Sequence, residues 1–339
     1  IYNSGSGFAP DWIEYYKSHN IDYKLVNPYD SDIIEQLSDC DAFMWHHCHN
    51  DYKDLLFAKQ LTAAIETSGK IVFPNHNTGW HFDDKIGEKY LFEALNIPAV
   101  KSYIFYDKHS ALKWAKGTSY PKVFKLRGGA GSANVILAKD LRQAKRLIYK
   151  SFGKGFKAFR AKDYFKERYK NWKSGHDDFY GVIKALGRFI SAPKLMRLIE
   201  NQKGYAYFQD FMPGNDFDTR VTIIGEKAFA FRRAVRKDDF RASGSGEIIY
   251  GDIDLSMIKM AFEAADKIKS QSLALDFIYN TEHQPVIIEC SYGFIQNAPN
   301  KSGGYWTKDL KWHISKSNDL CGDMVKDVVD CVKKKMLNA

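Results

Sequence analysis

The sequence lacks the features that mark membrane-spanning, disulfide-bonded and repeat proteins. No apolar run approaches the ~20 residues that a transmembrane helix needs, and no internal repeat or low-complexity tract occurs. The five cysteines are odd in number and form no C-x-x-C pair, which favours a reducing cytoplasm over a disulfide scaffold. Because the chain begins at Ile1 rather than methionine, we expect its natural start to lie upstream. The sequence leaves open whether a signal peptide has been removed.

Positive charge is concentrated in one segment. The chain has 50 Lys and Arg and 41 Asp and Glu, a net charge of +9. Residues 139–203 hold 18 basic and 6 acidic side chains, so the rest of the chain, with 32 and 35, is slightly acidic. This basic segment is interleaved with aromatic residues and is either a solvated helical lobe or a docking surface for an anionic macromolecule. Nucleic acid, an anionic glycan and an acidic membrane surface all suit its charge, although it contains no recognised nucleic-acid motif.

The first part of the chain alternates between strand-like and helix-like segments, which predicts a parallel sheet with crossover helices. Pro10 suits the first turn of a helix, and Gly69 suits the end of another. We expect strands at 1–4, 21–27, 41–47 and 70–75, and helices at 10–19, 30–39 and 51–69.

A second unit begins near Pro98, and it contains the glycine cluster "GGAGS" at 128–132. A P-loop places its lysine after the glycines and runs into a helix. Here Lys125 precedes the glycines, and strand-like sequence stands on both sides of them, so a β-hairpin is expected instead. The predicted elements are strands at 100–106, 120–126 and 133–139 and a helix at 109–117.

The remainder is expected to mix helices with antiparallel strands. Residues 140–203 are mostly compatible with helix but show little core-like periodicity. A hairpin is predicted to turn at Gly225 and Glu226. The other predicted elements are strands at 205–213, 273–280 and 285–291 and amphipathic helices at 254–268 and 320–337.

Two core strands near the C-terminus each carry one acid, Asp276 and Glu289. Thirteen residues separate them, enough for a hairpin that brings both side chains to one face. Buried carboxylates need a cation between them. A magnesium ion shared with substrate phosphates meets that need, and so does pairing with arginines, and the spacing leaves both open.

At this point the chain resembles the ATP-grasp enzymes, such as D-alanine–D-alanine ligase and the glutamate ligases that modify ribosomal proteins. The similarity covers roughly residues 75–295 and rests on motifs in matching order. They are "DDKIGEKYLFEALNIPAVKSY" with Lys85, Lys125 before "GGAGS", the hinge "YFQDFMPGNDFD", "DTRVTIIGEKAFAFRRAVRKDDFRASGSG" and "VIIECS".

The resemblance implies an α/β and α+β architecture: an N-terminal parallel α/β domain and two subdomains that enclose an ATP site. The implied domains are 1–97, 98–205 with a basic insertion at about 140–203, and 206–339.

The resemblance also implies site residues. Lysines, the glycine hairpin and the hinge would bind ATP, with Asp216 or Asp218 on the ribose. The residues so implied are Lys85, Lys125, Gly128, Gly129, Gly131, Ser132, Gln209, Asp210, Met212, Asp216 and Asp218. Arginine forks bind planar anions bidentately, and those implied for phosphate or substrate carboxylate are Arg220, Arg232 or Arg233, and Arg241.

The implied magnesium ligands are Asp276, Glu289 and Ser291. The family usually ends this site as E-x-N, whereas this chain reads "ECS", so a weaker hydroxyl ligand replaces the amide. This departure weakens the case for two-metal catalysis more than the case for ATP binding.

The resemblance implies an ATP- and Mg²⁺-dependent ligase that forms a C–N bond through an acyl phosphate. Such chemistry needs charge neutralisation and exclusion of water rather than a side-chain nucleophile. The expected partners are a small-molecule or glycan carboxylate, with an acidic cell-envelope acceptor suggested by the insertion, and an amine; a homodimer is compatible. The alternatives are a nucleotide-binding module that has lost its chemistry and a nucleic-acid-binding protein that uses the basic segment.

Four further segments are either substrate contacts or plain loops, because ligands bind at the carboxyl ends of parallel strands. The histidine-rich "MWHHCHND" is also a weak candidate for a metal cluster. The segments are 3–7, 44–51, 75–84 and 293–305.

Overall fold

The architecture is that of a computed structural model. It describes residues 1–49, 51–129, 135–157, 165, 169, 172, 180–184, 200–235 and 247–338. The predicted site residues Gly131, Ser132 and Arg241 and much of the basic segment lie outside the described residues. Within the described ranges, no helix is both long enough and apolar enough to cross a membrane.

The chain divides into two compact units. Unit 1 comprises Ile1–His49, Lys53–Val100 and Met212–Ala339, and unit 2 comprises Asn50–Tyr52 and Lys101–Phe211. Most of residues 1–97 and 206–339 lie in unit 1. The division into domains 1–97, 98–205 and 206–339 stays a prediction.

Unit 1 begins with a small parallel sheet flanked by helices. Strand β1 (Ala42–Met44) pairs in parallel with β2 (Ile71–Phe73), as the alternation predicts. The surrounding helices are α1 (Ala9–Ser18), α2 (Ile33–Gln36), α3 (Tyr52–Thr67), α4 (His76–Gly79) and α5 (Lys85–Ala94).

The strands predicted at 1–4 and 21–27 are wrong. Their backbones make isolated hydrogen bonds, from Tyr2 N to Met44 O and from Val26 N to Ile1 O, instead of a continuous ladder. Alternating apolar residues therefore bury one side of each segment without making it a sheet strand.

The second sheet of unit 1 is antiparallel and has the order β11-β10-β7-β8-β12-β13, with β9 also paired to β8. Its strands are β7 (Phe217–Ile224), β8 (Lys227–Ala234), β9 (Ile248–Ile249), β10 (Ser272–Tyr279), β11 (Pro285–Ser291), β12 (Gly304–Trp306) and β13 (Trp312–Ile314). The associated helices are α8 (Leu255–Ile268), α9 (Asn297–Asn300) and α10 (Leu320–Leu337). The predicted hairpin at Gly225, whose φ is +51°, is confirmed.

The two faces of this sheet have different cores. Val221 and Leu275 pack against α8, whereas Ile224 and Phe229 pack in a second core with α1 and α10. Because strand residues alternate between faces, these buried residues show which face each remaining side chain of β7, β8 and β10 occupies.

Unit 2 is an antiparallel sheet of order β3-β6-β4-β5. Its strands are β3 (Ser102–Phe105), β4 (Lys122–Lys125), β5 (Ile136–Ala138) and β6 (Ala206–Asp210), and its helices include α6 (Lys108–Gly117) and α7 (Leu141–Ser151). Strands β4 and β5 confirm that the glycine cluster connects two antiparallel strands.

Helix α7 corrects one expectation about the basic segment. Ala144, Leu147 and Ile148 are buried and pack with Phe124 and Phe208 in the core of unit 2. The start of the basic segment is thus amphipathic, with Arg142 and Arg146 exposed on the outer face.

Candidate functional site

In unit 2, one face of the sheet is polar. Lys125 pairs with Tyr207, and Val123 and Ser102 both pair with Gln209, so these side chains lie opposite the face that carries Phe124. Lys125 and Gln209 are only 7% and 5% exposed. The structure therefore brings the predicted phosphate lysine and the predicted adenine contact to the same sheet face.

Ser102 organises this face. Its Oγ accepts hydrogen bonds from Tyr207 Oη at 2.8 Å and from Gln209 Nε2 at 3.2 Å. Because the amide nitrogen of Gln209 is engaged there, its oxygen has a defined direction. Ser102 and Tyr207 were missed by the sequence reasoning, since only the strand register shows that they flank Gln209.

The side chain of Asp210 is used on the other face. Lys122 Nζ donates to Asp210 Oδ1 at 2.6 Å, and the Asp210 amide donates to Lys101 O at 2.9 Å. Lys122 and Lys125 are thus two buried lysines of one strand with different surroundings. Lys122 forms a structural ion pair, which leaves Lys125 as the lysine of the polar face.

Two glycines of the predicted phosphate loop are described, and both are partly exposed. Gly129 has φ = +117°, a backbone conformation that side chains disfavour. The loop therefore uses glycine for its backbone path a few residues after Lys125.

The hinge segment continues into unit 1 at Met212. Asn215 Nδ2 donates to Met212 O at 3.3 Å and to Tyr279 O at 2.9 Å, and Asn215 Oδ1 accepts from Tyr279 N at 2.8 Å. Asn215 therefore anchors this turn to β10. Of the two predicted ribose contacts, Asp216 is exposed, whereas Asp218 is buried.

The central feature of unit 1 is a row of alternating charges on one sheet face, here called the charged row: Asp218, Arg233, Asp276 and Arg220. Arg233 binds Asp218 through two hydrogen bonds of 2.7 and 2.6 Å, and its Nη2 lies 2.7 Å from Asp276 Oδ2. Arg220 binds Asp276 bidentately at 2.7 and 2.8 Å. The two carboxylates are 4% and 2% exposed, so these hydrogen bonds replace water almost completely.

Within the charged row, the pKa of Asp276 is lowered and the pKa of Asp218 is raised. Burial favours the neutral form of Asp276, but Arg220 and Arg233 outweigh it and hold the pKa of Asp276 below its usual range. Burial and the neighbouring Asp276 raise the pKa of Asp218 to about 6 against the pull of Arg233. Burial opposes the charge of Arg233, yet Asp276 and Asp218 raise its pKa. Asp276 is therefore the firmly ionised carboxylate of the pair.

Arg232 lies apart from the charged row. It pairs with Thr219 on the opposite sheet face, and its guanidinium stacks 4.9 Å above the Phe217 ring. Its Nη2 lies 3.8 Å from the exposed Asp252. Between the two arginines that the sequence left open, Arg233 is thus the one beside Asp276.

The predicted magnesium ligands differ in how they are engaged. Glu289 is the register partner of Asp276, which confirms that the two acids share a face. Both oxygens of Asp276 bind arginine, which was one of the two alternatives left open by the sequence. Ser291 Oγ donates to Gly293 O at 2.6 Å. No group of three or more His, Cys, Asp and Glu side chains within the described part of the chain could hold a metal ion. Glu289 fits a magnesium ion that takes its other ligands from phosphates and water, whereas Asp276 does not fit while the arginines hold it.

Lys85 lies at the beginning of α5, where Asp84 caps the helix by accepting from the Ile86 and Gly87 amides. Burial lowers the pKa of Lys85, but Glu289 and Glu88 outweigh burial, so the pKa is raised. The predicted phosphate lysine is thus a buried, charged ammonium close to the predicted metal ligand.

Glu88 was missed by the sequence reasoning. It is 5% exposed, and its Oε2 accepts from the Cys290 amide at 3.2 Å, beside Glu289. Its position one helical turn after Lys85 was the available signal.

The four segments that the sequence leaves open as substrate contacts or plain loops, 3–7, 44–51, 75–84 and 293–305, have residues that lie together in unit 1. Phe8 N donates to His46 Nδ1 at 2.9 Å, and the two rings stack at 4.0 Å. Tyr292 donates its hydroxyl to His47 O and packs against Phe82 at 4.6 Å. One aromatic cluster therefore joins segments 3–8, 46–49, 76–82 and 292–294.

Burial favours the neutral form of three histidines in this cluster, His46, His47 and His81. Burial lowers the pKa of His46 and of His81 to about 4 and that of His47 to about 3. His81 Nδ1 lies 3.5 Å from Cys290 Sγ, and the Nε2 atoms of His47 and His81 are buried with no hydrogen-bond partner in the described structure. The described side chains offer no metal cluster here either. The environment is aromatic, and the ammonium of Lys59 lies at its edge, where it donates to Phe82 O at 2.7 Å.

No family model matches this sequence, and no curated protein matches it. Solved structures do resemble it. A RimK-domain ATP-grasp protein from Sphaerobacter thermophilus aligns with a TM-score of 0.54 and 12% identity over 95% of both chains. The D-alanine–D-alanine ligase of Bacillus anthracis, crystallised with ATP, aligns with a TM-score of 0.53 and 11% identity over 97% of this chain and 92% of that one. The D-cycloserine synthetase DcsG aligns with a TM-score of 0.57 and 11% identity over 95% and 94%. At such low sequence identities the similarity concerns the architecture alone. We conclude that this chain has the ATP-grasp fold.

Proposed function

We propose that this protein is an ATP- and Mg²⁺-dependent ligase that activates a carboxylate as an acyl phosphate and passes the acyl group to an amine. The observation that carries the proposal is the placement of Lys125 and Gln209 on one polar sheet face in a chain with the ATP-grasp fold. A buried ammonium directly before a glycine turn, with an oriented amide on the neighbouring strand, suits phosphate and adenine respectively.

In unit 2, Lys125 neutralises phosphate charge and the backbone of Gly128 and Gly129 approaches the phosphates. Gln209 and the backbone of Asp210 bind the adenine. The resemblance assigns the same nucleotide to Gly131 and Ser132, and to Met212 and Asp216 or Asp218, as expectations to be tested.

In unit 1, Lys85 supports the phosphates and Glu289 holds the magnesium ion, which when bound offsets phosphate charge. Arg220, held at a fixed angle by Asp276, presents its remaining edge to the transferred phosphate or the substrate carboxylate. Arg233 orients Asp276 and, through it, Arg220. Arg241 is proposed for the same anion only by resemblance, and so is Ser291 for the metal.

The carboxylate substrate is proposed to lie near the aromatic cluster of His46, Phe82 and Tyr292. Phe82 and Tyr292 are buried, and such an aromatic surface beside the substrate would keep water away from an acyl phosphate. The basic segment 139–203 favours a large acidic acceptor, such as an anionic glycan or a cell-envelope intermediate.

The acyl phosphate gives a direct test. Purified protein, MgATP and hydroxylamine are incubated with single amino acids and uronic-acid glycans, and hydroxamate and ADP are measured. We expect ADP formation that depends on one class of carboxylate, with one hydroxamate formed for each ADP. ADP formation without hydroxamate from any carboxylate would remove the acyl-phosphate step.

A second candidate function is a nucleotide-binding module without turnover. The bidentate capture of Asp276 by Arg220 favours it, because that carboxylate is then withheld from a metal ion. Tight MgATP binding with no ADP release under any of these conditions supports this candidate. Nucleic-acid binding through the basic segment is tested separately, by titrating random oligonucleotides at 50 and 200 mM salt.

A further inference from the structure

Two stretches that are far apart in sequence, just after α7 and just before β6, are joined to each other inside unit 2. Phe156 and Gln202 exchange both backbone hydrogen bonds, at 2.9 and 2.8 Å. Asn201 Nδ2 donates to Lys154 O at 3.0 Å, and Gly204 N donates to Ser151 O at 3.0 Å. We call residues 151–156 together with 201–205 the neck. Because Phe156 is 3% exposed within the core of unit 2, the neck is anchored to the sheet and to α7.

The neck also holds the entrance to the glycine turn. The Arg127 amide donates to Gln202 Oε1 at 3.0 Å and to Tyr205 Oη at 2.6 Å. Tyr205 Oη in turn donates to Gln202 Oε1 at 2.5 Å. Three groups thus form one closed hydrogen-bonded unit, here called the clasp, directly before Gly128.

The position of the clasp gives it a mechanical role. Pairing between β4 and β6 ends at Lys125 and Tyr207, so the sheet ladder no longer fixes the backbone at Arg127. Arg127 has an exposed side chain, and its amide would otherwise bind water. The clasp therefore holds the backbone in place two residues beyond the end of β4, where the glycines begin.

We propose that Gln202 and Tyr205 are positioning residues for the nucleotide: they hold the Arg127 backbone so that Gly128 and Gly129 present their amides to phosphate. This inference rests on the proposed function and adds to it a link between the neck of the basic segment and the phosphate loop. Fixing a binding backbone in advance improves affinity, because less conformational freedom is lost on binding.

Matched variants separate this role from general stability. Gln202→Leu removes the acceptor with little change in volume, Tyr205→Phe removes one hydroxyl, and Gln202→Glu keeps an acceptor in place. Asn201→Ala is the control, since Asn201 belongs to the neck and its side chain donates to Lys154 O, away from the hydrogen bonds of the Arg127 amide. The readouts are calorimetric titration of the full chain with MgADP and amide hydrogen exchange at Arg127 without nucleotide.

Gln202→Leu and Tyr205→Phe are expected to weaken MgADP binding by roughly fivefold to tenfold, as for the loss of one hydrogen bond. Amide exchange at Arg127 should accelerate in both. Asn201→Ala should stay within about twofold of the wild type in MgADP affinity. Gln202→Glu should keep amide exchange at Arg127 as slow as in the wild type, since the clasp keeps its acceptor.

Three results would overturn the inference. One is unchanged MgADP affinity in Gln202→Leu while the wild type binds. Another is an equal loss in Asn201→Ala, which would make the effect one of neck stability. The third is a wild type that does not bind MgADP, which refutes the proposed function and this inference with it. Faster exchange at Arg127 in Gln202→Leu would then still report the clasp as a structural feature alone.

Discussion

Replacing Asp276 by asparagine tests the charged row, because the substitution keeps the shape and removes the charge. Asp276 is 2% exposed and accepts three charge-assisted hydrogen bonds, two from Arg220 and one from Arg233. An asparagine would turn N–H groups toward one guanidinium and leave both arginines short of an acceptor. Breaking a buried ion pair by removing one partner typically costs about 3–5 kcal/mol.

The structure places the expected cost of Asp276→Asn at the lower end of that range. Arg233 keeps its two hydrogen bonds to Asp218, and the Arg220 side chain, 20% exposed, can recover water. We therefore expect a loss of about 3 kcal/mol in the free energy of unfolding. That corresponds to a Tm lower by roughly 6–12 °C for a unit of this size.

Thermal unfolding followed by circular dichroism, without nucleotide or magnesium, is the assay. Asp252→Asn is the control: Asp252 is 90% exposed and 3.8 Å from Arg232, so Tm should change by less than about 2 °C. If Asp276→Asn instead left Tm unchanged or raised it, the reasoning would be refuted. The carboxylate would then be uncompensated in the folded protein, as a metal ligand awaiting its ion would be.

Three further predictions concern unit 1. The folded-state pKa of His47 is about 3, below the ordinary 6.5, so its neutral burial stabilises the fold above pH 6.5 and progressively less as pH falls toward 4. His47→Gln should therefore flatten the pH dependence of unfolding by up to about 1.4 kcal/mol per pH unit, measured by denaturant titration at pH 5, 6 and 7. Arg233→Met should cost about 3–5 kcal/mol because it leaves the buried Asp218 without its arginine and removes one of the contacts of Asp276, which keeps Arg220. Arg232→Met should cost less than half as much in the same titration; equal costs would contradict the assignment of the two arginines to opposite faces. Gly7→Ala should lower Tm and shift the His46 imidazole NMR signals, since a Cβ at Gly7, which has φ = +69°, would lie 2.1 Å from His46 Nδ1; an unshifted His46 would count against that contact.

Periodic segments with clear ends were predictable from the sequence. The helix at 320–337 and the hairpin about Gly225 have the predicted bounds to within a residue or so, because apolar spacing and turn chemistry act locally. The predicted strands at 1–4 and 21–27 failed because pairing is not local: an alternating segment still needs a neighbour in register.

The candidate site was predictable in residue type but not in partnership. The sequence predicted that Asp276 and Glu289 share one face, but it left open whether a metal ion or an arginine compensates the charge of Asp276. That choice depends on three strands in register and on a bulge after Asp276. Glu88 and Ser102 act through contacts with distant strands, which no single segment encodes.

The central claim, that the polar face of unit 2 binds ATP, is tested most directly by calorimetric titration of MgATP into the wild type, Lys125→Met and Lys122→Met. Both lysines lie buried on β4, but only Lys122 is paired to Asp210. We predict one MgATP per chain for the wild type, at least roughly tenfold weaker binding for Lys125→Met, and near wild-type affinity for Lys122→Met at a lowered Tm. No binding to the wild type, or equal losses in the two variants, would contradict the claim.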